Sequence, residues 1–165
     1  MTYRTEHARL LRKKLSACAD ACAYADTHAT LQDAWDACER GDWMAWLLDH
    51  ADVDERAKVG CLADVAALVL PIYEKRYPDD SRVRDCIEVC RKYARGEASD
   101  ADLRKARDAA AAAAAAYAAA YADAYAYAAA AAAAYAYAAA DAAYADMRKQ
   151  IAGLMRAHFP LVPNF

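Results

Sequence analysis

The chain has 165 residues, a formal net charge of -3 and 59% hydrophobic residues, a figure inflated by alanine. That length suits one domain with a buried core, and the slightly acidic balance offers no electrostatic footprint for nucleic acid. With 27% charged residues and no long run more apolar than Ala and Tyr, a membrane span is not expected either.

In chain order, Met1 to His7 lack the apolar core of a secretory signal. The expected compartment is therefore the cytoplasm, and the six cysteines are expected as thiols. Leu11, Leu15, Cys18 and Cys22 recur at spacings of four, three and four residues, which predicts a first helix from about Thr5 to Ala25. The cluster Arg9, Arg12, Lys13 and Lys14 reads as its solvated face. Thr30 with Asp33 has the form of a capping box for a second helix carrying Trp35. Gly41 suits the left-handed position that ends that helix, and Asp42 suits the cap of a third, holding Trp43, Met44, Trp46 and Leu47. A fourth helix, capped by Asp52 or Asp54, is expected to run to about Tyr77. Its residues from Ala66 to Ile72 are apolar around most of the circumference, which predicts a central buried helix kinked at Pro71. Val83, Ile87, Cys90 and Ala94 give the next stripe, closed by Gly96, and Ser99 with Asp102 has the form of a further helix start.

That helix leads into a tract from Ala109 to Ala145 made of Ala and Tyr except at Asp123 and Asp141. Alanine is the strongest helix former, so the tract is expected to be helical. An unbroken helix between Gly96 and Gly153 would be about 80 Å long, twice the ~40 Å diameter expected of a compact chain of this length. A concealed turn is the favoured expectation, with Asp123 or Asp141 as the new N-cap. On a continuous helix, Tyr117, Tyr121, Tyr125, Tyr127 and Tyr135 share one broad face, with Asp123 and Asp141 beside it. The last helix is expected to end near His158, and Phe159 to Phe165 to dock as a tail. No window alternates with period two. The fold class is all-α, an irregular bundle of six to seven helices in one domain spanning residues 1–165, with closely packed alanine-rich C-terminal helices.

The chemistry on offer is sparse. Cys18 with Cys22, and Cys86 with Cys90, could together hold zinc, but they sit on or beside apolar stripes, where cysteine behaves as a small hydrophobe. Neither a metal nor a cofactor is expected. The four histidines are scattered, and four glycines leave no phosphate-binding loop or nucleophile elbow. Recognition is the better use of the remaining signals. Trp35 and Trp43 with Asp36 and Asp42 make one aromatic and acidic candidate surface, and the tract tyrosines with Asp123 and Asp141 make another.

The run from Ala34 to Leu48, with its Trp-Cys-Gly-Asp-Trp order, resembles a family of small bacterial and phage immunity proteins of polymorphic toxin systems. Ala94 to Ser99, the Ala-Ala-x-Tyr-Ala repeats and Arg156 to Pro160 are similar to it too. The resemblance implies a non-enzymatic, cytoplasmic, all-α protein that neutralises a toxin or effector by binding it. The alternative is a small-ligand binder, holding a nucleotide-like molecule in a tyrosine-lined pocket with Arg104, Arg107 or Arg148 at its mouth. A cysteine-based metal protein or an enzyme ranks third. Alanine faces also leave self-association open.

Overall fold

Short polar side chains cap the first turns of several of the described helices. The computed structural model describes residues 3–112 and 133–165, with side chains from 145 onward in the second range. Among the described residues there are eight helical segments and no strand: α1 (Glu6–Leu15), α2 (Ala19–Asp26), α3 (Leu31–Ala37), α4 (Gly41–His50), α5 (Glu55–Arg76), α6 (Arg82–Ala94), α7 over residues 100–112, and α8 (Ala133–His158). The protein is all-α. Thr30 and Asp33 exchange both bonds of a capping box at 3.0 Å, Ser99 and Asp102 do the same before α7, and Asp54 accepts from the Ala57 amide at 2.9 Å. Each satisfies amides that a first helical turn leaves without partners. At the other end of α6, Gly96 at φ +79 sends its amide to Tyr93, and Glu97 sends its own back to Lys92. That pair of bonds is a Schellman closure, with glycine where the left-handed backbone requires it.

The chain divides into two compact units, Met1–Val53 with Asp146–Phe165, and Asp54–Ala145. In the first, the single helix expected to Ala25 is two. Ser16 turns left-handed at φ 60, and the Ala17 amide folds back to the Leu11 carbonyl at 3.2 Å. Arg12 holds the turn by donating to the Ala17 carbonyl at 2.8 Å, and Cys18 caps α2 with its sulfur. The hydrophobic spacing did not reveal the break, because Leu11 and Cys22 of the same stripe are buried on either side of it. Met44 and Leu48 of α4 and Met155 of α8 fill the centre, fully buried, each contributing about 1.5–3 kcal/mol relative to exposure.

Gly41 is not the left-handed end of α3. It is the first residue of α4, and a Cβ there would lie 2.5 Å from Ile151 Cβ and 2.6 Å from the Arg148 carbonyl oxygen. The glycine serves close approach to α8. Asp42 correspondingly lies inside α4, and the N-cap residue is Arg40, without a side-chain cap bond. Arg156 of α8 donates to the Cys38 carbonyl at 2.6 Å and the Trp35 carbonyl at 3.4 Å, supplying partners where α3 ends. The tail bonds to residues of this unit. Trp35 Nε1 donates to the Phe159 carbonyl at 3.0 Å, the Gln32 side chain bonds both the Pro160 carbonyl and the Val162 amide, and the Asp52 amide donates to Asn164.

In the second unit, Gly60 lies against Ala94, Asp64 pairs with Arg91 and Glu74 with Arg84. One partner number rises as the other falls, so α5 and α6 form an antiparallel hairpin. Tyr73 and Arg82 both bond Asp80 in the connecting turn. The expectation that α5 is the central buried helix is not met. Gly60, Cys61 and Ala63 are buried, but Leu62, Val69 and Ile72 are 41%, 46% and 68% exposed. Leu62 and Val69 lie about half a helical turn round from Gly60 and Asp64, away from the face that meets α6. Asp141 lies within α8 and starts no helix. Asp123, the other proposed cap, lies outside the described residues.

Candidate binding site

Four alanines set against three tryptophans create the main feature of the first unit. Ala17, Ala21, Ala25 and Ala34 contribute only methyl groups, and Trp35, Trp43 and Trp46 contribute indole rings. Between them is a cavity of about 430 Å³, also lined by Leu11, Leu31, Met44, Leu47 and Val162. Its inner wall is buried, including Trp35 at 3% exposure and Met44 at 2%. Ser16, Cys18 and Asp42 are its exposed members, and Tyr24, Trp43 and Trp46 are half-buried. The opening is therefore at the left-handed turn between α1 and α2 and the start of α4.

The aromatic wall is held by neighbours rather than by packing alone. The Arg40 guanidinium lies 4.1 Å from the Trp43 ring centre, Trp43 meets Tyr24 at 5.7 Å, and Tyr24 meets His28 at 4.7 Å. Cation-π and tilted aromatic contacts of this kind fix ring orientation. Arg40 also grips Asp42 with two bonds, at 2.8 and 2.6 Å, and these hold the Asp42 carboxyl below its ordinary range. The Tyr24 hydroxyl donates to the Ala34 carbonyl at 3.2 Å. Burial pushes the Cys38 thiol and the Tyr24 phenol up, so both keep their protons at neutral pH. Every polar group named on the wall is thus neutral or paired.

Of the candidate residues, the structure brings Trp35, Asp42 and Trp43 to one cavity. Trp35 is in the core, tied to the tail. Asp36 is exposed on α3 and accepts from Gln32 at 2.8 Å. Tyr117, Tyr121, Asp123, Tyr125 and Tyr127 lie outside the described residues, and Tyr135 and Asp141 lie on the backbone of α8, where side chains are not described. The described lining of the cavity has one tyrosine, Tyr24, and one charged residue, Asp42; Arg104, Arg107 and Arg148 are not among it. Among the described residues, no three of His, Cys, Asp and Glu gather as a metal site. Sequence reasoning missed Arg40 as the clamp on both Asp42 and Trp43, and the four alanines as makers of space. The i, i+2 and i, i+3 spacings from Arg40 were visible, but the alanines come from separate elements that only folding aligns.

Among the described residues, no helix is long and apolar enough to cross a membrane. No curated protein matches this chain, and no solved structure does. The family model described as Imm-5 like putative immunity protein matches residues 53–149. That span holds α5, α6, α7, the joint at Ala94 to Ser99 and the alanine-tyrosine tract, and it stops short of both the tryptophan motif and the tail. As the match covers more than half of the 165 residues, the chain belongs to the Imm-5 like putative immunity protein family.

Proposed function

We propose that this protein neutralises a toxin or effector by binding it directly, with no chemistry of its own. The family match over residues 53–149 carries the reading. Asp36, Asp42 and Trp43 form the proposed contact surface in the first unit, with Trp35 supporting it from inside. Tyr117, Tyr121, Asp123, Tyr125, Tyr127, Tyr135 and Asp141 form the second proposed surface, on the tract. What supports the first is its chemistry: a half-buried indole, held by Arg40 and Tyr24 and next to the Asp42 carboxylate, suits an interface anchor, because it gains contact area at little entropic cost. Inhibition follows from occupying or covering the target's working surface.

The test is recovery of tagged protein from its own cells, with native mass spectrometry of what accompanies it. The expected result is an equimolar complex with a protein whose expression alone arrests growth and whose effect this chain relieves. A partner that this chain binds without relieving toxicity, or recovery of the chain alone, overturns the proposal. In such a complex Trp43→Ala is expected to weaken affinity about thirtyfold, the scale of a ~2 kcal/mol anchor, as measured by calorimetry on variants whose circular dichroism is unchanged.

A further inference from the structure

We infer that the cavity between α1 and α4 is a binding site for an uncharged, apolar small molecule. The inference goes beyond the immunity reading and does not rest on it. Three observations carry it. The volume, about 430 Å³, falls within the ~300–1,000 Å³ of small-molecule sites. The walls belong to separate elements, α1 to α4, the turn at residues 16–18 and the tail, and are apolar throughout the inner part, where Leu11, Ala25, Ala34, Trp35 and Met44 are buried. Three of the polar groups along the opening are already engaged: Arg40 takes both oxygens of Asp42, the Tyr24 hydroxyl goes to Ala34, and the Cys18 sulfur accepts from the Ala21 amide at 3.5 Å.

These observations also select the ligand. A phosphate or carboxylate would have to give up its water beside Asp42 with no cation among the described lining residues to receive it, and the neighbouring Arg40 is already taken by Asp42. An apolar ring system needs no such partner and finds indole and phenol faces at Trp43, Trp46 and Tyr24. The alanines make the room, since a larger residue at Ala21 or Ala25 of α2 would enter it.

N-phenyl-1-naphthylamine, an uncharged apolar fluorophore, is the probe, added to the full chain. Saturable binding of one probe per chain, with quenching of tryptophan emission, is expected. Ala21→Leu, which puts a larger side chain into the cavity, is expected to weaken binding at least tenfold, whereas Ala23→Leu, on the exposed side of α2, changes it less than twofold. In the unaltered protein the probe is expected to slow alkylation of the exposed Cys18 at least fivefold, a readout that needs no variant to fold. Non-saturable binding, unchanged affinity in a folded Ala21→Leu variant, or unchanged Cys18 alkylation overturns the site. Displacement of the probe by a nucleoside monophosphate overturns the uncharged class.

Discussion

At the scale of single residues, two glycines have opposite reasons to be glycine, and two substitutions separate them. At Gly41 the backbone is ordinary helix and the space is missing, so Gly41→Ala sets a methyl group 2.5 Å from Ile151 Cβ and against the Arg148 carbonyl. Alanine's helix propensity favours the change by about 1 kcal/mol, but overpacking against backbone costs about 1–3 kcal/mol or more. A net loss in urea denaturation is expected. At Gly96 the space is open and the backbone is the obstacle. The φ of +79 makes Gly96→Ala cost about 1–2 kcal/mol, and restoring φ tolerance with Asn is expected to recover part of it. Sequence alone suggested one role for both positions, a left-handed helix end. That role belongs to Gly96, whose neighbours in the chain decide it; Gly41 is explained by Arg148 and Ile151 of α8, more than a hundred residues away.

At the scale of elements, the tail is part of the first unit's core. Deleting residues 159–165 removes the acceptor of the Trp35 indole and both partners of the Gln32 side chain in the tail. The Trp35 N–H alone, left buried, costs about 1–3 kcal/mol. The truncated chain is expected to unfold at lower urea and to show red-shifted tryptophan emission; equal stability would mean the tail bonds are marginal. In the α5–α6 hairpin the ion pair of Arg91 with Asp64 is about one-third exposed on each side. Its loss in Arg91→Ala is expected to cost less than about 1 kcal/mol, because water screens such pairs. The starts of α3, α5 and α7 and the end of α6 were legible because capping depends on residues three or four apart. The break at Ser16 was not, because its turn carries neither Gly nor Pro and is held by an Arg12 side chain that reads as part of a solvated helix face.

At the scale of the whole molecule, five carboxyls among the described residues are held below their ordinary range by bonds made in the fold. The Thr5 amide acts first on Asp26, the guanidiniums of Arg40, Arg82 and Arg95 on Asp42, Asp80 and Glu97, and the Ser99 hydroxyl on Asp102. A depressed folded-state value means stability that is present above the unfolded value, near 4, and lost as pH falls through the folded one. The urea midpoint is therefore expected to be flat from pH 6 to 8 and to decline below about pH 4; a midpoint that rises on acidification would contradict it. The candidate site shows the same division between near and far causes. Trp35, Asp42 and Trp43 were legible as a group because they lie close in the chain, but the cavity they line was not, since its empty side is made by alanines from α2, α3 and the 16–18 turn. By itself the sequence determined that this chain is helical, where α3, α5 and α7 start, and which family it resembles, because propensity, capping and motif order are local. Only the tertiary structure decided that Gly41 is a contact point, that α5 shows an apolar face, and that small residues leave room beside the tryptophans, because packing joins residues with no relation in the chain.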